Sequence, residues 1–361
     1  MIFMTYSGMN GSLILALLCC IYLLPHSPLT ITLFPGTSDE AEEPFQFFRQ
    51  YVGLNEEEIT AIRNGKPVAK VLNSPTADQV FVFGAVYVRS NPENYLKLAS
   101  DIEALKRLPN YLAICKFSNP PRISDLDGFS LDEEDINSLK KCHEGKCEVQ
   151  LPKEAMDEFR SKINWSAPDV NDQVNRLARQ MALGALTSYR EGGNAALGTY
   201  RDKNDPAAVE QTFRSLVERS KALPVYLPEL QNYLLNYPKT KSDHIESEFY
   251  WEKVNFGLKP TIRLLQAVLY RGEGPIGPTY AVAIKQLYAS HYFETALDLT
   301  VCVRDEKHRP GMYLITMKGS QQAGLTGLKG GIVRKVAVDK TRSSLEKALG
   351  AMKTSLESQA N

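Results

Sequence analysis

Tyr280 to Val303 reads YAVAIKQLYASHYFETALDLTVCV, and this run decides the fold. Its β-branched and aromatic residues alternate at a period of two, which is the pattern of β-structure. It is too long for one strand, so it contains a turn, expected near Glu294. Phe249 to Val254, Thr261 to Tyr270 and Gly311 to Met317 carry the same period on either side. Together these segments predict an antiparallel meander. Glycines 324, 327, 330 and 331 then lead into a closing helix from about Ile332 to Glu357, whose apolar stripe is Leu345, Leu349, Met352 and Leu356.

Upstream the elements are shorter. Phe45 to Val52 and Glu56 to Arg63 read as helices, the second capped by Asn55 and stopped at Gly65. Val68 to Leu72 and Val80 to Val88 read as strands. Asn91 caps the next helix with Pro92 at its first position. Tyr111 to Phe117 returns as a strand, Ser130 with Glu133 forms a capping box, and Glu148 to Leu151 is a short strand. From about 152 to 238 the period is helical, with a stripe at Val174, Leu177, Ala178, Met181, Ala185 and Tyr189. Alternating βαβ units are absent, which argues against a parallel nucleotide-binding sheet. The expected class is α+β: a curled antiparallel sheet gripping a long C-terminal helix, with a helical middle segment.

The 361 residues carry 42 basic and 42 acidic side chains, so the formal net charge is zero. That removes the electrostatic reason to expect nucleic acid as a partner. The first charged residue is Asp39. Residues 1–38 therefore read as a signal peptide or N-terminal anchor, and 39–358 as a single α+β domain with a helical insertion at about 152–238. The apolar core, Ser12 to Leu24, has signal-peptide length, about 13 residues, where a spanning helix needs about 20. It lacks a preceding Lys or Arg and a small-x-small cleavage site, so membrane anchoring through residues 12–24 stays open. The expected location is periplasmic or secreted. In such a compartment Cys142 and Cys147, separated by a turn containing Gly145, read as a local disulfide. Cys115 and Cys302 read as buried strand residues.

Most catalytic motifs are missing. There is no P-loop, no Gly-x-Ser-x-Gly elbow and no His-Glu-x-x-His. Gly272-Glu-Gly274-Pro-Ile-Gly277 matches the dinucleotide pattern but reads as a hairpin loop. Ser124 to Glu134 resembles a calcium loop whose first position, Ile123, cannot ligate. Five histidines give no basis for a metal site, and no cofactor is expected. The unusual stretch is Lys285 to Phe293. Strand alternation puts Gln286, Tyr288, Ser290 and Tyr292 on one face, a lining that suits a mostly apolar ligand. Lys285 and His291, on the other face, suit an anion or proton transfer. Trp251 is a further candidate ligand-binding residue, beside a Glu252–Lys253 pair that reads as solvated. No catalytic residue is assigned.

The order of elements in Val80–Leu108 and Phe249–Glu357 resembles the helix-grip fold of the START and Bet v 1-like superfamily. There a strand leads into short helices, an antiparallel sheet curls, and a long C-terminal helix closes over a cavity. The helical stretch from about 152 to 238 departs from that pattern. The chain also resembles uncharacterised exported bacterial proteins in Lys146–Pro152, Gly257–Pro260 and Lys285–Tyr292. That second resemblance implies no function; the helix-grip resemblance, joined to the N-terminal segment, implies an exported protein that binds a lipid or other hydrophobic small molecule in a sheet–helix cavity. The alternatives are a hydrolase- or cyclase-type enzyme using the same cavity, or a structural or interaction protein of the cell envelope. Membrane contact is expected only through the N-terminal segment.

Overall fold

The computed structural model describes residues 44–359, apart from 108–109, 221–222, 256–258, 275–276, 306–309, 323 and 326. The signal-peptide or anchor reading of residues 1–38 lies outside the described residues. The described residues belong to one compact unit. Among the described residues no helix is long and apolar enough to cross a membrane.

The chain opens with α1 (Phe45–Phe47), which runs into a π-helical turn, and α2 (Glu56–Arg63). Asn55 and Glu58 close a reciprocal capping box on α2, and Asn55 is the cap that the sequence predicts. Strands β1 (Val68–Leu72) and β2 (Gln79–Val88) follow, then α3 (Pro92–Ser100), α4 (Ile102–Lys106) and β3 (Tyr111–Lys116). The helical middle holds α5 (Glu133–Leu139), α6 (Lys153–Lys162), α7 (Val170–Gly192), the small hairpin β4 (Thr199–Tyr200) and β5 (Ala207–Ala208), then α8 (Val209–Glu218), α9 (Leu223–Tyr226) and α10 (Pro228–Asn236). The meander is β6 (Ile245–Val254), β7 (Thr261–Gly274), β8 (Gly277–Ala289), β9 (Phe293–Arg304) and β10 (Met312–Gln322), closed by α11 (Gly327–Ser358).

Eight strands form one antiparallel sheet in the order β1-β2-β10-β9-β8-β7-β6-β3. The long early strand β2 pairs with the last strand, β10, and β3 becomes the far edge. The fold is thus α+β with a long C-terminal helix.

The two faces of the sheet carry different covers. On one face Val82, Val86, Leu269 and Leu314 meet α3 and α11 through Tyr95, Leu96, Leu345, Leu349 and Leu356. Burying each such leucine contributes roughly 1.5–3 kcal/mol. Gly84 permits the close approach of α11, since a Cβ there would lie 2.8 Å from both Leu345 and Leu349. On the other face Phe83, Tyr270, Ala283 and Leu299 meet α1, α2, α8 and α10. Further along that face, Trp251, Ile262, Leu264 and Leu287 meet α5, α6 and α7. The Cys142–Cys147 disulfide forms and packs into this second core.

Several local expectations change in the tertiary setting. The turn in the long run falls at Ser290–Tyr292, ahead of Glu294, because β8 ends at Ala289. Helix α5 starts after Asp132, and Ser130 instead offers its carbonyl to Lys253 Nζ at 3.0 Å, so the Ser130–Glu133 box does not form. The buried stripe of α7 runs through Ala182 and Leu186 rather than Met181 and Ala185. Residues 148–151 form no strand; Gln150 N donates to Ser290 O across the turn instead. Cys302 is buried, whereas Cys115 is only half-buried on the sheet edge.

Candidate functional site

Two polar clusters stand out, one on each face of the sheet. The first surrounds the stretch singled out in the sequence. A register shift between Leu264 and Leu265 makes Leu287 an extra residue in β8, so Gln286 pairs with Leu265 and Tyr288 with Leu264. Cross-strand partners share a face, and a bulge reverses the facing of the residues beyond it. Gln286 therefore lies on the α3–α11 face and Tyr288 on the opposite one. The single lining of Gln286, Tyr288, Ser290 and Tyr292 is not formed.

Beyond Tyr288 the chain turns sharply. Tyr292 sits at φ +65°, a left-handed conformation rare for a bulky residue. Two anchors hold it there: Phe293 N donates to His291 O, and Lys259 N donates to the Tyr292 hydroxyl at 2.9 Å. Ser290 is locked to Ile262 twice, donating from its N–H to Ile262 O and accepting from Ile262 N on Oγ. His291 Nε2 lies 3.0 Å from Asp135 Oδ2 and its Nδ1 lies 3.1 Å from Glu148 O. Both partners are acceptors, so the ring satisfies both only when both nitrogens carry hydrogen. Lys259 Nζ makes ionic contacts with Asp135 Oδ1 at 2.9 Å and Glu148 Oε2 at 3.1 Å. Burial acts to raise the Asp135 carboxyl, but the hydrogen bond and charge of His291, with Lys259, outweigh it and hold the group below its ordinary value.

Lys285 lies apart from this turn. It is fully buried and donates to the Tyr189 hydroxyl at 2.9 Å and to Asn194 Oδ1. Its ammonium sits 4.1 Å from the centre of the Phe213 ring. Tyr189 in turn donates to Gln266 Oε1 at 2.7 Å, and Asn194 donates to the carbonyls of Leu234 and Leu235. The chain of bonds ties α7 and α10 to the sheet. Burial pushes the Lys285 amine well below its ordinary range.

Trp251 is core: its Nε1 donates to Asp125 O at 2.8 Å and its ring meets Phe129 edge to face. The structure thus joins Ser290, His291 and Tyr292, keeps Tyr288 near them against Tyr200, and separates Lys285 and Trp251. Lys285, Tyr288 and Trp251 pack with the helical middle rather than against α11. That corrects the expectation that these residues line a cavity beneath the terminal helix.

The second cluster was missed in the sequence. Glu252 and Arg263 pair across β6 and β7 on the α3–α11 face. Arg263 Nε donates to Glu252 Oε1 at 2.8 Å and Nη2 reaches the same oxygen. Glu252 is 1% exposed and Lys253 is buried on the opposite face, so the two are no solvated pair. Asp298 acts on Arg263 through space and ion-pairs with Lys318, and both of those side chains are about one-third exposed (34% each). Tyr95, Tyr111 and Tyr250 surround the group; burial raises each hydroxyl, and the nearby carboxylates of Glu252 or Asp298 add to the effect. The sequence signal was available: Arg263 interrupts the apolar run Thr261-Ile-Arg-Leu-Leu265.

Two cavities are outlined elsewhere. One, of about 40 Å³, is wholly apolar and lies between α1, α9 and the sheet, lined by Phe47, Tyr226, Leu299 and Ile315 among others. It is far smaller than the few hundred Å³ of an ordinary ligand site. The other is a groove of about 380 Å³ along β3. Among the described residues no cluster of His, Cys, Asp and Glu has the arrangement to hold a metal ion. No protein-family model matches this chain, and no curated protein matches its sequence.

Proposed function

We propose that this chain is an exported binding protein of the helix-grip kind, holding a lipid or other hydrophobic small molecule between its sheet and its terminal helix. The order of elements supports this reading. Strand β2 leads into the short helices α3 and α4, the antiparallel strands follow, and α11 packs on the same face as α3. The observation that carries it is the Glu252–Arg263 pair. A buried ion pair is weak as a stabilising device, because desolvation offsets most of its attraction. An apolar floor with a few convergent polar groups is what ligand sites offer. Here the floor is Val282, Ile284 and Leu265, and the polar groups are Arg263, Asp298 and three tyrosine hydroxyls. The apolar body of a ligand would lie on the former and its polar end on the latter.

An acid–base role for His291 or Lys285 has less support, since both ring nitrogens of His291 are engaged and Lys285 is sealed in the core. Native mass spectrometry of the full chain purified from its host, with thermal melting against fatty acids and phospholipids, tests the proposal. A bound apolar species is expected, lost in the double variant Glu252→Met/Arg263→Met while the fold is kept. A ligand-free spectrum with no shift from the panel would overturn it.

A further inference from the structure

Strand β3 ends the sheet, pairing with β6 on one side only. The outermost strand of a sheet leaves a row of N–H and C=O groups unpaired by any strand, and such a row is a template for another chain. Phe117 N donates to Phe249 O, one step beyond the Lys116–Tyr250 register pair. Antiparallel pairing alternates, so Ile114 and Lys116 point their backbone groups away from β6, toward the open edge. The register shifts between Tyr111 and Ala113, leaving Leu112 with no opposite residue.

Three properties mark this edge. Leu112 is 52% exposed and Ile123, on the loop facing it, is 49% exposed. A groove of about 380 Å³ runs between the strand and that loop, lined by Lys106, Ala113, Cys115, Ser124, Asp127 and the rim of Trp251. Its charge is acidic: Glu103, Asp125 and Asp127 act on the Cys115 thiol against the single ammonium of Lys106. Lys106 is itself paired with Glu103 at 2.6 Å. Lys116, on the strand itself, is paired with Glu248, so even with Arg122, whose charge acts on Asp125, the carboxylates Glu103, Asp125, Asp127 and Glu248 outnumber the cations Lys106, Lys116 and Arg122.

We propose that the β3 edge docks an extended, basic segment of a partner protein, adding it as a ninth strand. Main-chain hydrogen bonds to Ile114 and Lys116 would supply affinity. Apolar side chains of the segment would meet Leu112 and Ala113, and its Lys or Arg side chains would meet Asp127. The other occupants fit less well. Residues 1–38 of this chain contain no Lys or Arg to answer the carboxylates. A second copy would bring two acidic rims together, and opposed like charges are unfavourable.

The probes are fluorescein-labelled hexapeptides of alternating Val and Lys, the Val and Glu counterpart, and the Val–Lys peptide N-methylated at alternate backbone positions. Polarisation is read on the full chain at low and high salt. The Val–Lys peptide is expected to bind, about tenfold tighter than either control, with weaker binding at high salt and slowed hydrogen exchange at Ile114 and Lys116. Asp127→Lys, an exposed change, is expected to weaken that peptide about tenfold while the melting temperature stays unchanged. Absence of binding, equal binding of the three peptides, binding that leaves the Ile114 and Lys116 amides exchanging freely, or sedimentation that finds the edge closed by a second copy would each overturn the proposal.

Discussion

The two faces of one sheet bury charge in different ways. On the face toward the helical middle, Lys285 sits among Tyr189, Asn194 and Phe213, and His291 is clamped between Asp135 and the Glu148 carbonyl. On the face toward α3 and α11, Arg263 meets Glu252 directly, and Asp298, which acts on Arg263 through space, ion-pairs with the partly exposed Lys318. The first arrangement fastens helices to strands. The second joins two strands of the sheet through a direct ion pair.

This contrast breaks first at Glu252. Glu252→Ala leaves the Arg263 charge buried without its carboxylate and is expected to cost about 3–5 kcal/mol in chemical denaturation. The double variant Glu252→Met/Arg263→Met should recover most of that loss. If both single and double changes cost the same, the pair is structural. Next comes His291→Ala, expected to cost about 2 kcal/mol, less than a bare buried carboxylate would, because Lys259 still neutralises Asp135. A comparable loss, about 2 kcal/mol, is expected for Cys142→Ala/Cys147→Ala, since the bridge closes only a short loop.

The smallest effect near neutral pH is expected at Lys285. Lys285→Met should give a net change of only about 1 kcal/mol there, because removing the cost of neutralising a buried amine is offset by leaving the Tyr189 hydroxyl and Asn194 Oδ1 without its hydrogen bonds. Its signature lies in pH dependence. The folded amine titrates well below 10.5, so over the window below that value the unfolded chain binds a proton that the folded chain does not. Stability then rises with pH toward 10.5, by at most about 1.4 kcal/mol per unit, and this rise should flatten in Lys285→Met. An unchanged slope would mean that Lys285 keeps its proton in the fold.

Much of the architecture was legible because it is written in short-range pattern. The Asn55 and Asn91 caps, the β6–β10 segments, the α11 leucines and the Cys142–Cys147 bridge all depend on neighbours a few residues away. The Ser130–Glu133 box was a false local signal, because the helix starts only at Glu133, with Asp132 in the N-cap position. The stretch Lys285–Phe293 was correctly singled out as unusual, yet its face assignment failed at one extra residue, Leu287, which no periodicity announces.

By itself the sequence determined the class of fold, with its helical middle segment, and the disulfide, because hydrophobic period, capping and loop closure are local properties. Its balanced charge also gave no reason to expect recognition by bulk electrostatics. Only the tertiary structure decided which side of the sheet each polar residue faces. It alone brought Asp135 to His291, 156 positions away, and turned Glu252 from a solvated side chain into a buried partner of Arg263. The reason is that register and burial are set by pairing between strands distant in the chain, where one inserted residue reverses every side chain beyond it.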